Sequence, residues 1–367
     1  MPSSSTEPPA RAGRWGNVLA GLAVAALVLV LVEGLASLLQ SARAAKHDLR
    51  MQEESHVRYD PLLGWSHVPG VHIPELYGPG TAFTTNSQGL RGSEEYAKAI
   101  PAGKYRVVAL GDSFTMGFGV GDAQSYPAQM QALCPALQAV NMGQGGYAMD
   151  QDYLWYRRDG VKLDANVLLF AVIADDFFRM QGDNFIGYGK PVLRARNGTL
   201  AVENVPPPDW GSRLVLRRAR AFVESLATVR TLRWIVHHGE APSQEDPFHG
   251  TVNEGTFAAA GLALDELARL SASRNQRFVL AYLPTSFLLA KEPTPERRWL
   301  ASYAERSHVP FIDLVPEFEK LTPAQIAALY RWDYHYTVEG NRFVAAAILR
   351  RLAEWVPGFP DCGPAAR

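Results

Sequence analysis

The hydrophobic pattern divides the chain into stretches of different character. Residues 18–32 form an unbroken apolar run that continues weakly past Glu33 to Leu39, predicting one helix over 15–39. Such a helix spans a bilayer, which takes roughly 20 mostly apolar residues. Glu33 falls near the end of the span, where a carboxylate reaches the interface. Residues 56–100 are rich in Gly, Pro and aromatics (YDPLLGWSHVPG, then TTNSQGLRG) and predict turns and short strands. From residue 104 short apolar runs recur at 106–110 (RVVAL), 137–141 (LQAVN), 167–172 (VLLFAV), 278–283 (FVLAYL) and 309–312. Helix-period stretches such as 126–133, 257–270 and 339–355 lie between them. Strands that are apolar throughout and alternate with helices predict an α/β protein, a parallel sheet covered on both faces. Residues 177–253 break the rhythm with Gly/Pro loops (NVPPPDWG) and an arginine-rich helix over 212–237, and read as an insertion.

These patterns predict a disordered start (1–15), a membrane span (16–40), a stalk (41–55), an arm or cap (56–103) and a main domain (104–360) carrying the insertion. The apolar run has a second reading, a signal peptide cut after Ala42-Arg43-Ala44, but it is long for one and the site lies far from its most apolar part. An uncleaved anchor is favoured. Arg11 and Arg14 precede the span and Arg43, Lys46 and Arg50 follow it, so flanking charge leaves its orientation open.

Composition narrows function mainly by exclusion. Lys+Arg is 36 and Asp+Glu is 37 in 367 residues, with no basic tract interleaved with aromatics, which argues against nucleic-acid binding. No HExxH or CxxC spacing occurs, so neither a metal nor another cofactor is expected. His237-His238 reads as a solvated helix end, and Asn197-Gly198-Thr199 matches a glycosylation sequon.

Two segments carry candidate chemistry. In VVALGDSFTMGFG, Ser113 follows a buried strand at the start of a helix, where ligands of parallel sheets bind. Gly111 permits a sharp turn there, and the free N–H groups of a helix start can stabilise an oxyanion. In WDYHYTVEGNRF, Asp333 and His335 share a loop before a C-terminal amphipathic helix that Thr337 can cap. A serine nucleophile needs an imidazole held in one tautomer by an acceptor, and an Asp two residues away can supply that acceptor. Taken singly, each segment also fits a bland reading: an N-capping serine, and a surface His beside an Asp.

Together the segments resemble the SGNH/GDSL hydrolase family. GDSFTMG is similar to its first block, NMGQGGYAMDQ to its second, Ala174-Asp175-Asp176 to its third, and DYHYTVEGN to its last. The resemblance covers about residues 104–356, and DPLLGW and NSQGLRG resemble the leader of exported members. It implies a flavodoxin-like three-layer α/β/α sandwich with a parallel five-stranded sheet. It further implies Ser113 as nucleophile, His335 as general base, Asp333 as the orienting carboxylate, and the N–H groups of Ser113 and Gly146 as oxyanion donors. Gly143 and Gly145 would serve loop geometry.

Asp175 departs from the pattern. It stands where the family has an asparagine whose amide is a third oxyanion donor, and an ionised carboxylate only accepts. Asp175 could be protonated by burial, could turn away, or could be replaced in its role by Asn184. In the implied fold Cys134 and Cys362 follow the first and last helices, on one side of the sheet at the end away from the site. In an oxidising compartment they would bridge.

The reading that follows is a membrane-anchored serine esterase with its catalytic domain periplasmic or extracellular, acting on a small ester or an O-acetylated envelope or secreted polysaccharide. Two alternatives share the residues: an O-acyltransferase, and a noncatalytic glycan-binding scaffold. Trp155, Tyr156, Phe177 and Phe178 would either line the pocket or belong to the core.

Overall fold

A computed structural model describes residues 12–45, 55–209 and 250–363. The helix over 212–237 and His237-His238 lie outside the described residues, as do 1–11 and 46–54. Two units are present, and the N-terminal helix belongs to one of them.

That helix, α1, runs Ala12–Ala45. It begins before residue 15 and continues past residue 40, so residues 12–15 are helical rather than disordered and the first part of the expected stalk is helix. The segment Gly16–Leu35 is long and apolar enough to cross a membrane. Its described large apolar side chains are all more than half exposed, as a lipid-facing helix requires.

The second unit is built on five strands: β1 (Tyr105–Gly111), β2 (Leu137–Gly143), β3 (Val167–Val172), β4 (Arg277–Tyr282) and β5 (Phe311–Asp313). They lie in the order β2-β1-β3-β4-β5, and every neighbouring pair is parallel. All five fall on the predicted apolar runs. Alternate residues of each strand feed opposite cores. On one face Val108, Leu110, Leu168 and Phe170 pack under helices α3 (Met149–Arg158), α4 (Glu254–Ser273) and α5 (Pro295–Ser307). On the other, Val107, Ala109, Leu169 and Ala171 pack under α2 (Tyr126–Leu133) and α6 (Val338–Trp355). The result is the expected three-layer sandwich around a parallel five-stranded sheet.

Trp155, Tyr156 and Phe177 are fully enclosed in the first core, so the pocket-lining alternative is set aside for them. Phe178 is half-buried beside Gly250. The segment read as an arm is two hairpins, Val57–Asp60 with Gly64–His67 and His72–Ile73 with Phe83–Thr84. It braces the sheet rather than covering it. Leu63 and Trp65 enter the core, the Leu63 carbonyl accepts from Gln151 at 2.7 Å, and Arg158 holds Asp60 at 2.7 Å. The first part of the insertion is also hairpins, Asn184–Phe185 with Tyr188–Gly189 and Val192–Arg196 with Thr199–Glu203.

Cys134 and Cys362 are joined by a disulfide across 228 residues of sequence. Cys134 follows α2 and precedes β2, so the bridge lies at the amino end of the sheet.

Candidate active site

The strand register brings the carboxyl ends of β1, β2 and β3 level, with Gly111 opposite both Gly143 and Ala171. The strand order reverses between β1 and β3, and the loops leaving these strands open the crevice in which parallel sheets bind ligands. Ser113 stands at the head of the short helix Ser113–Met116, directly after β1. Asp112 caps that helix by accepting from the Phe114 N–H at 2.9 Å. Gly143, at the end of β2, touches this turn: a Cβ there would overlap the main-chain nitrogen of Met116. Asn141 fastens the same junction, with its Oδ1 accepting from the Gly143 N–H at 2.9 Å.

His335 arrives from a turn that precedes α6. The Arg331 N–H donates to the His335 carbonyl at 2.7 Å and the Tyr334 N–H to the Arg331 carbonyl at 3.1 Å. Thr337 Oγ1 then accepts from the Gly340 N–H at 3.0 Å and starts the helix. The turn sets His335 Nε2 2.9 Å from Ser113 Oγ. The rings of Phe114 and Phe118, centred 4.9 and 4.5 Å from the imidazole, hold it there. Its Nδ1 lies 3.2 Å from the main-chain carbonyl of Asp333. A carbonyl only accepts, so Nδ1 carries the proton and Nε2 is left to accept from Ser113.

The carboxylate of Asp333 does not take the expected place. Its Oδ1 is 3.6 Å from Nδ1, beyond a good hydrogen bond. Arg331 turns it aside, reaching Oδ2 through Nε at 3.2 Å and NH2 at 3.1 Å while NH1 donates to the Gly119 carbonyl at 2.6 Å. Asp333 therefore orients His335 mainly through its own main chain. Burial by itself would raise the Asp333 carboxyl, but the contacts with His335 and Arg331 outweigh it and hold the group below its ordinary value.

Among the described residues, the N–H groups of Ser113 and Gly146 donate no hydrogen bond within the protein. They are the two donors the sequence pointed to. Gly146 has φ +73°, and the Phe185 ring packs against it. The Gly145 carbonyl accepts from Trp65 Nε1 at 3.0 Å, so the N-terminal arm fixes this loop. Asn184 is not available as a substitute donor: it is exposed, and its amide donates to Asp183 at 2.9 Å. Asp175 is buried in the first turn of the helix Ala174–Arg179.

Arg179 was not singled out in the sequence. It lies behind the nucleophile and bridges Asp112 (2.8 Å) and Asp176, all three side chains being less than a tenth exposed. Burial works against its charge, but Asp176 and Asp112 outweigh burial and the guanidinium stays protonated. Beside them Asp152 is fully buried, with neither oxygen hydrogen-bonded. Burial, then the charges of Asp176 and Asp112, push its carboxyl well above the carboxylate range. Two signals existed for this network: an Asp between a buried strand and a helix start is a capping position, and Arg179 follows Asp176 at helical i,i+3 spacing. No group of three metal-ligating side chains occurs among the described residues.

No family model and no curated protein matches the chain. Among solved structures it is similar to a member of the lipolytic protein G-D-S-L family from Veillonella parvula, at 13% identity over 69% of this chain and 98% of that one, TM-score 0.37. An α/β hydrolase enzyme from the metagenome of Lake Arreo gives 17% identity, 68% and 95% coverage and TM-score 0.40. An acetyl xylan esterase gives 13% identity, 67% and 98% coverage and TM-score 0.38.

Proposed function

We propose that this chain is a serine ester hydrolase of the SGNH/GDSL type. The observation that carries the proposal is the 2.9 Å approach of Ser113 Oγ to His335 Nε2 beside two unused N–H donors, on the motif blocks that resemble that family. Ser113 Oγ attacks the ester carbonyl while His335 Nε2 takes its proton. The negative charge that develops on the carbonyl oxygen is met by the N–H groups of Ser113 and Gly146. Collapse expels the alcohol, which takes the proton back from His335. Water then repeats the sequence on the acyl-enzyme and releases the acid. With Asp175 in place of the expected amide the hole has two donors, and a missing third donor costs roughly 3 kcal/mol in the transition state.

The favoured substrate is a small acyl ester of an envelope or secreted polysaccharide, with the domain held outside the cytoplasm by α1. The apolar helix and the Cys134–Cys362 bridge support that placement, since disulfides persist in oxidising compartments.

A fluorophosphonate probe tests the chemistry. It should label the intact chain at Ser113 and leave Ser113→Ala and His335→Ala unlabelled. Absence of labelling on the intact chain, or labelling that survives Ser113→Ala, would defeat the reading, the first outcome in favour of a noncatalytic scaffold.

A further inference from the structure

Outside α1, the large apolar side chains exposed on the described surface are Val202, Val205, Trp332 and Tyr334. The two aromatic ones lie within the turn that ends at His335. Trp332 is 77% exposed and Tyr334 44%. An isolated exposed aromatic needs no explanation, but two beside a reacting group do.

The placement of Tyr334 is built. Tyr334 has φ +72°, a left-handed conformation that is costly for a side-chain-bearing residue. Strain of this kind persists where the surroundings impose it. The Arg331-to-His335 hydrogen bonds close the turn, and the Tyr334 ring rests on Phe287 with centroids 3.5 Å apart. Three residues of extended chain reach about 11 Å, so Trp332 stands no farther than that from His335 along the main chain. This is the reach of one or two sugar rings from an ester on Ser113. Within the turn itself, Arg331 and Asp333, its two charged members, are bonded to each other.

We infer that Trp332 and Tyr334 form a stacking platform for a pyranose ring of an uncharged, O-acylated glycan, an inference that rests on the hydrolase reading above. The apolar C–H face of a pyranose carries slight positive charge, and the face of an aromatic ring is negative. The rigid ring of Trp332 loses little conformational freedom on binding. A phosphate or ammonium group would instead call for an unpaired charge of opposite sign in the turn.

The test is binding to the full chain carrying Ser113→Ala, in detergent micelles, with O-acetylated xylo-, cello- and chito-oligosaccharides as probes and titration calorimetry as readout. At least one probe should bind. Adding Trp332→Ala should weaken that binding about tenfold or more, roughly 1.4 kcal/mol or above, while Trp332→Phe should keep most of it and Tyr334→Ala should have a smaller effect. Unchanged affinity in Trp332→Ala, or no binding of any probe, overturns the platform. So does quenching by doxyl-labelled phosphatidylcholine in nanodiscs that Trp332→Ala abolishes without loss of glycan binding, which would assign the rings to a bilayer surface. Fluorophosphonate labelling of the chain with Ser113 intact is read in parallel. Labelling without glycan binding sinks the platform and spares the hydrolase, and glycan binding without labelling does the reverse.

Discussion

The nucleophile and the base are held in opposite ways. Ser113 leaves the interior of the sheet, and its supports on that side are enclosed: the side chains of Asp112, Arg179 and Asp176 below, and the Gly143 backbone against its helix. His335 ends a surface turn that also carries an exposed Trp332 and a strained, half-exposed Tyr334, and it is held by two phenylalanine rings and a main-chain carbonyl. Ser113 takes its position from the strand register, and errors there would be transmitted to the fold. His335 takes its position from a turn whose side chains can vary without disturbing the core.

The contrast is sharpest at Arg179. Its removal would leave Asp112 and Asp176 buried without a counter-charge, and breaking a buried ion pair in this way costs about 3–5 kcal/mol. Arg179→Ala should lower the urea midpoint accordingly and reduce turnover with it. An unchanged midpoint would mean that the floor under the nucleophile is not what fixes it.

On the base side the expected loss is catalytic and smaller. Removing the orienting carboxylate of a serine triad can cost about 10⁴ in kcat, but here the main-chain carbonyl of Asp333 does much of that work. Asp333→Asn should therefore lower kcat/KM on an aryl acetate by about 10- to 100-fold, roughly 1.4–2.7 kcal/mol. A fall of four orders would show that the carboxylate swings in from Arg331 when substrate binds.

A smaller effect separates the two sides by pH. Asp152 has its folded value raised, so the folded state keeps a proton that the unfolded chain loses above about pH 4, and stability falls as pH rises from there. Asp152→Asn should remove that slope and raise stability at pH 8 by on the order of 1 kcal/mol. Asp333 has the opposite sign. Its folded value is lowered, so its contribution is complete above about pH 4 and is lost as pH falls through the folded value. Denaturation curves of Asp333→Asn should converge on those of the parent chain in acid, by the smallest margin of the set.

What the sequence made legible follows the same division. Five largely apolar runs marked five strands, since most positions of a strand covered on both faces are buried. Ser113 and His335 were legible because each stands at a strand or helix boundary with local turn chemistry. Arg179 was legible only in part: its i,i+3 pairing with Asp176 could be read locally, but its meeting with Asp112 comes only through the neighbouring of β1 and β3. The displacement of the Asp333 carboxylate was equally hidden: the D-x-H spacing permits both arrangements, and Arg331 decides between them through its reach to the Gly119 carbonyl. Asp175 shows the limit from the other side, where an alignment of motifs marked a position but the local helix set its neighbours.

The disulfide bears on how the chain is made as well as on how it stands. Cys134 has to wait for 228 further residues before its partner exists, so for that interval of synthesis its thiol is unpaired. The chain has two cysteines in all. Within one molecule there is no wrong pairing to make, and no isomerase is needed to undo one. The errors left open are between molecules, where Cys134 of one nascent chain meets that of another. Crowding of newly made chains, more than the chemistry of oxidation, would then set the yield of correctly closed protein.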